Sequence, residues 1–488
     1  MGIVNMGKVT DNLQPKDVFR YFGELCSIPH GSGNVKKISD YCVEFAKEHG
    51  LKYRQDESYN VIIWKEASAG YEDKPTVILQ GHLDMVAVKD ADCTKDMENE
   101  GLDLEVDGDY LYAKKTSLGG DDGIAIAYSL ALLASDKYEH PALEAIFTVD
   151  EEIGMLGAAA LDLSDIKGRI MMNIDSEEEG IFLAGCAGGG TAACTVPVEK
   201  CQKKGVLCKI KIDGLRGGHS GTEIICQRAN ANVLMGRVLF KLSQKTGFSI
   251  LSISGGEKDN AISKIAQAEL IINACDTDTV KNEIGLIEKD IKNEYAATDE
   301  ELKITVSLEN QENSYDVFSD ESSEKLIMAL IQLPYGVQKM SNDIQGLVQT
   351  SLNLGIIKEN SEGVVLYYSV RSSLGSEKDF LVDKIKAFMR FIGGKCEMSG
   401  LYPAWEYVRD SYLRDKMVAV YEKMYNEKPK VETIHAGVEC GIIADKLGKL
   451  DCVSFGPNIM DIHTTKERLS ISSVERTWKF ILEVLKEL

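Results

Sequence analysis

Apolar positions in the first third of the chain switch between two periods. Val18, Phe19, Phe22 and Leu25 recur at helical spacing within Pro15–Ile28, and a second helix is predicted over Asn34–His49. Short β-type runs follow at residues 60–65 and 76–80, the second entering Val77-Ile78-Leu79-Gln80-Gly81-His82-Leu83-Asp84. A polar hairpin over 101–113 leads into Thr116-Ser117-Leu118-Gly119-Gly120-Asp121-Asp122-Gly123. The Ala/Leu-rich run behind it, 124–133, predicts a buried helix. Leu143–Val149 reads as a strand that runs into Asp150-Glu151-Glu152, and 170–175 as another that ends on Asp175. Each strand–helix unit therefore leaves a histidine or a carboxylate at the C-terminal strand edge, where open α/β sheets bind ligands.

The texture changes at Gly185-Cys186-Ala187-Gly188-Gly189-Gly190, a natural seam that is not a dinucleotide-binding glycine fingerprint, because no clear helix opens behind it. From there to about Ser399 the pattern is α+β, with helices predicted over 229–242 and 277–295. That stretch exceeds the common domain size of about 100–150 residues, so two small lobes are expected. From about Tyr402 strand–helix alternation returns, through a strand and turn at 451–457, then His463, then a closing helix with a capping box at Ser472 and Glu475. The expected organisation is a catalytic domain in two parts, 1–187 and 400–488, around an insert at 188–399.

Composition narrows the function classes. A net charge of −22 on 488 residues argues against a nucleic-acid surface and against docking on anionic lipid. No apolar run is long enough to span a bilayer, and residues 1–11 show no signal peptide. The twelve cysteines contain no C-x-x-C spacing, so they are expected to be reduced residues of a cytoplasmic protein.

Each candidate has a plain reading beside its chemical one. His82 and Asp84 can be a simple hydrogen-bonded pair, or a metal-bound histidine with its orienting carboxylate. Asp121 and Asp122 can cap a helix and answer its dipole. Asp150-Glu151-Glu152 can be a solvated loop, although a bound cation would relieve the repulsion. Their convergence favours a site. His82, Asp121, Glu152, Asp175 and His463 form a mixed nitrogen and oxygen set that suits zinc, cobalt or manganese. Five ligands exceed what one catalytic zinc takes, and fit two cations at about 3.5–4 Å sharing a bridging carboxylate. Two divalent cations would also balance three carboxylates and a hydroxide.

The ordered set His82-Leu83-Asp84, Gly120-Asp121, Asp150-Glu151-Glu152, Asp175 and His463 resembles the di-zinc exopeptidases of the aminoacylase and carboxypeptidase clan. The wording of 116–123, of Asn173–Gly180, of Gly217-Gly218-His219-Ser220-Gly221 and of His435–Gly441 is most similar to the aminoacyl-histidine dipeptidase branch. The resemblance implies an α/β fold, a mixed-sheet catalytic domain with an inserted α+β lid. It assigns His82 and Asp175 to one metal, Glu152 and His463 to the other, and Asp121 to both. Asp84 would orient His82, and Glu151 would be the general base acting on a metal-bridging water. In the lid, His219 resembles the histidine that stabilises the oxyanion, while Asn260 and Arg371 resemble substrate-binding residues. His435 is read as structural, and His49 and His140 as surface or turn residues. Asp122 stands where this branch often has asparagine and is a rival ligand; Ser263-Lys264 stands where it often has Pro-Arg. The implied activity is hydrolysis of unblocked dipeptides with Xaa-His or β-Ala-His preference, using two divalent ions, zinc first, in a monomer or homodimer. The alternatives are an aminoacylase or deacetylase on N-acyl amino acids and, more remotely, a non-catalytic metal-binding protein.

Overall fold

Four strands lie parallel at the centre of an eight-stranded sheet, in the order Leu143–Thr148, Val77–His82, Ile170–Asn173, Asp451–Ser454. The first three are buried at every position, which is why they read as apolar runs and not as alternation. Val61–Lys65 and Lys52–Gln55 continue the sheet antiparallel beyond Leu143–Thr148. Ile181–Cys186 and Lys430–Ile434 complete its other side. Because the central strands are parallel, their C-terminal ends share one edge. His82 ends its strand at that edge, and the segments that follow the strands carry Asp84, Asp150–Glu152 and Asp175.

Helices cover this sheet. Gly120–Leu133 is buried along its whole length, as its apolar circumference requires, and packs against Val77–His82 and against Lys16–Cys26. Lys16–Cys26 is one-sided and turns Val18, Phe19, Phe22 and Leu25 inward. The closing helix, Ile471–Glu487, stacks Trp478 on Tyr128 with ring centroids 6.0 Å apart. Its cap differs from the expected one. Ser470, not Ser472, is the N-cap and accepts from the Ser473 N–H. Ser472 lies inside the helix and bonds to Asp109, while Glu475 pairs with Lys479. Four residues crowded with serines allow the S-x-x-E pattern to match two positions too late.

The computed structural model describes residues 7–488, with side chains from Val9 onward, so the start of the segment read for a signal peptide lies outside the described residues. The chain divides into two compact units. One takes residues up to Gly185 with Tyr407–Thr433 and Val438–Leu488; the other takes Cys186–Glu406 with Ile434–Gly437. The second unit is built on a nine-stranded sheet backed by the helices Ala231–Ser243, Thr277–Glu294, Asp320–Gln332 and Gly375–Phe391. Its two halves, expected as separate lobes, share that sheet and one main apolar core, and meet where Gly255 pairs with Ile357. Among the described residues, no cysteine forms a disulfide. Among the described residues, no helix is long and apolar enough to cross a membrane.

Candidate active site

His82 closes its strand with the ring 1% exposed, and its Nε2 lies 3.1 Å from Asp121 Oδ1 and 3.6 Å from Asp175 Oδ1. Asp121 turns its other oxygen, Oδ2, to His463 Nε2 at 3.1 Å, and His463 Nε2 is 2.8 Å from Glu152 Oε1. The side chains thus form two groups, His82–Asp121–Asp175 and Asp121–Glu152–His463, with ligand atoms within 4.8 Å of one another and Asp121 common to both. Glu151 joins a third group with His82 and Glu152. Imidazole nitrogens with carboxylate oxygens are a donor set that fits zinc, cobalt or manganese. Asp150 and His463 stand at positive φ, 54° and 62°, a cost that the surrounding structure must over-determine.

What orients these groups is partly unlike the expectation. The His82 Nδ1–H donates to the carbonyl oxygen of Asp84 at 3.0 Å, and the Asp84 carboxylate stands farther off at 3.6 Å. That carboxylate accepts from the N–H groups of Glu151 (3.0 Å) and Glu152 (3.3 Å) and from Ser32 Oγ (2.8 Å), so it holds the acidic loop as well as the ring. Ser32 was not legible, since a serine in a glycine-rich loop carries no periodic signal. Asp122, expected as a rival ligand, stands outside the ligand groups. The peptide between Asp121 and Asp122 is cis, and the Asp122 carboxylate turns back to accept the His82 N–H at 3.1 Å, outside all three groups. Asp150 likewise turns to the Gly33 N–H at 2.6 Å. His30 is buried with Nδ1 2.6 Å from the Ile28 carbonyl, and His140, expected at the surface or in a turn, is 1% exposed with Nδ1 on the Pro141 carbonyl. Under the site, Gln80 and Thr148 both donate to buried Glu439, at 2.7 and 2.5 Å, and Asn173 donates to Gln80.

Crowded carboxylates dominate the electrostatics. Burial pulls the His82 pKa down, but the facing carboxylates of Asp121, Asp175 and Asp84 carry it well above 6.5. His463 is carried up to about 10 by Asp121 and Glu152. Asp121 resists burial and stays below the usual carboxylate range because two imidazoles face it. Burial pushes Glu151 well above its ordinary value against the pull of His82, and Asp175, Glu439 and Glu152 add to the rise. Without cations, protons on the histidines answer the acids; a metal would displace them.

The second unit gathers a different cluster. Arg371 is 7% exposed; its Nη1 donates to Tyr402 Oη at 2.8 Å, and its Nε has no partner. No carboxylate forms an ion pair with it among the described residues. A Cβ built on Gly221 would meet the His435 carbonyl at 2.5 Å, His219 Cε1 at 3.0 Å and Arg371 Nε at 3.2 Å, so these three converge on a space that only glycine leaves open. His219 accepts the N–H groups of Gly221 and Thr222 on Nδ1, which places its proton on Nε2. Burial and Arg371 lower its pKa, keeping the ring neutral. His435 shares a hydrogen bond between Nε2 and Ser351 Oγ at 2.7 Å, leaving a buried Nδ1 without a partner. Asn260 adjoins the strand pair that carries His219; its carbonyl accepts the Ser220 N–H, and its side chain is exposed.

The sequence profile of Peptidase family M20/M25/M40 matches residues 78–487. The chain is 34% identical, over 478 residues and 98% of either length, to the cytosol non-specific dipeptidase of Escherichia coli (strain K12). It matches the crystal structure of aminoacylhistidine dipeptidase from Vibrio alginolyticus with a TM-score of 0.89 and 33% identity, covering 98% of both chains. Aminopeptidase PepT from Bacillus cereus shares the fold, with a TM-score of 0.55 and 15% identity over 97% of this chain and 99% of that one.

Proposed function

This chain belongs to peptidase family M20/M25/M40, and on that premise we propose that it is a cytoplasmic, metal-dependent exopeptidase that hydrolyses unblocked dipeptides, with Xaa-His or β-Ala-His preference. One observation carries the chemistry: two groups of ligand atoms share Asp121, and Glu151 stands in a third group beside them.

His82 and Asp175 would hold one cation, Glu152 and His463 the other, and Asp121 both, with zinc the first choice. When bound, such ions would supply Lewis acidity, lowering the pKa of a bound water towards about 7 and polarising the scissile carbonyl. The chain does the rest. The Nδ1–H bond of His82 to the Asp84 carbonyl leaves Nε2 as the free donor atom. Glu151 takes the proton of the attacking water on its carboxylate and returns it to the leaving amine, a role suited to a carboxyl whose pKa burial raises. His219 presents Nε2–H to the developing oxyanion, because backbone donors occupy its Nδ1. Arg371, buried without an anion, takes the substrate's free carboxylate in its planar fork, and Asn260 adds a polar contact.

The deciding measurement compares hydrolysis of Ala-His with that of N-acetyl-histidine by the zinc-loaded protein. Faster turnover of Ala-His is expected. Preference for the acetylated compound would move the chain to the aminoacylase reading, and turnover of neither would leave a metal-binding protein.

A further inference from the structure

A carboxylate outside the ligand set grips the turn that carries Asp121. Glu467 follows His463 by four positions and is 3% exposed. Its Oε2 accepts the N–H groups of Leu118 at 2.7 Å and Gly119 at 3.0 Å; its Oε1 accepts those of Gly120 at 2.8 Å and Asp121 at 3.4 Å. Gly119 sits at φ 69°, which lets consecutive amides face one side as an anion-binding concavity. These amides lie on the turn that leads into the buried helix, because the backbone is still non-helical at Asp121 and Asp122. The protein has filled this concavity with its own side chain. A Cβ on Gly120 would stand 3.3 Å from Glu467 Oε1, so the close approach uses the glycine.

We propose that Glu467 is a positioning residue for the metal centre, locking the Asp121 turn to the loop that carries His463. The inference rests on the reading of Asp121 and His463 as metal ligands. Asp121 spans both imidazoles, one oxygen to each at 3.1 Å, so a small rotation of its backbone spoils both groups together. Glu467 removes that freedom by binding the Asp121 N–H and the three amides before it. Glutamine has the same shape but not the same chemistry. One of its two terminal atoms becomes an NH2 donor, which faces N–H groups instead of accepting from them.

A matched control is available in the same unit. Glu144 is 2% exposed and accepts the N–H groups of Lys167 and Gly168 and the Trp64 ring N–H. It lies near the start of its strand, away from the ligand-bearing edge. The test uses full-length protein and the variants Glu467→Gln, Glu467→Asp and Glu144→Gln. Zinc retention is measured against a competing chelator, the cobalt-loaded protein gives its visible spectrum, and melting temperature, kcat and KM on Ala-His are recorded. Glu467→Gln is expected to weaken zinc retention by about 10-fold or more and to change the cobalt spectrum, with kcat falling and KM near wild type. Glu467→Asp keeps the charge one methylene short and should fall between; it carries the test if the glutamine variant does not fold. Glu144→Gln should lower the melting temperature and leave zinc retention and spectrum unchanged. Wild-type zinc retention and spectrum in both Glu467 variants would overturn the proposal, as would equal zinc loss in Glu144→Gln. A wild-type protein that fails to take up two zinc ions would instead defeat the underlying ligand assignment.

Discussion

Two clusters of buried polar side chains, one in each unit, lack counter-charge for opposite reasons. In the first unit, Asp121, Glu151, Glu152 and Asp175 crowd around two imidazoles, and the histidines respond by rising well above their ordinary pKa. In the second, Arg371 is buried with no carboxylate paired to it, and burial, with Arg371 adding to it, holds its histidine neighbours down, His435 to about 3. A buried charge is tolerated only when something answers it. The acid excess asks for cations; the lone guanidinium asks for an anion. On the proposed function, the free carboxylate of a dipeptide is the anion that would answer the guanidinium. Substitutions that unbalance either cluster therefore test the reading of both.

The largest effect should come from Asp121, the residue common to both metal groups. Asp121→Asn keeps the shape and removes the charge, so zinc content by atomic absorption should fall from about two per chain to below one, with turnover at background. Retention of two zinc ions would show that the bridging assignment is wrong. The next effect separates chemistry from binding in the same cluster. Glu151→Gln should lower kcat by about 10²–10⁴-fold while zinc content stays at the wild-type value. Activity within a few-fold of wild type would remove Glu151 as the base.

In the second unit the expected losses are smaller and of another kind. Arg371→Met should cost roughly 10–100-fold in kcat/KM on Ala-His, mostly through KM, as expected for one charge-assisted hydrogen-bonded pair. The sharper readout is the substrate's own C-terminal amide. The parent protein should strongly prefer the free acid, and the variant should hydrolyse both alike. An undiminished preference would place the carboxylate elsewhere.

The same contrast explains what could be read from the chain beforehand. His82, the 150–152 acids and Asp175 follow parallel strands whose apolar runs are plain in sequence, so their edge could be inferred from pattern. Asp121 and His463 needed the family's ordered motifs as well. The second cluster draws Arg371, Tyr402, His435 and the Gly221 turn from distant segments, and no local period announces a space shared by side chains so far apart in sequence. Glu467 hides differently, in the polar run Thr464-Thr465-Lys466-Glu467-Arg468, where it looks like one more solvated charge. Only the fold shows it facing four backbone amides. Asp122 misled for a related reason: adjacency in sequence suggested a second ligand, but its carboxylate turns back to the His82 amide.

The smallest predicted effect concerns stability and isolates the second cluster from catalysis. Burial first, then Arg371 and His219, holds the folded His435 at about 3, whereas an unfolded histidine titrates near 6.5. Between those values the unfolded chain binds a proton that the folded chain refuses. Stability must therefore fall as pH drops from about 6.5 towards 3, and the full contribution is present only above that window. His435→Gln removes this term while keeping a polar partner for Ser351. The variant should lose less melting temperature than the parent between pH 7 and pH 5, even if it starts lower. Arg371→Met should flatten the same limb part of the way, because one of the charges that depresses His435 is gone. Parallel curves for parent and His435→Gln across that range would mean that His435 is not held neutral, and the second cluster would then carry more positive charge than the guanidinium alone.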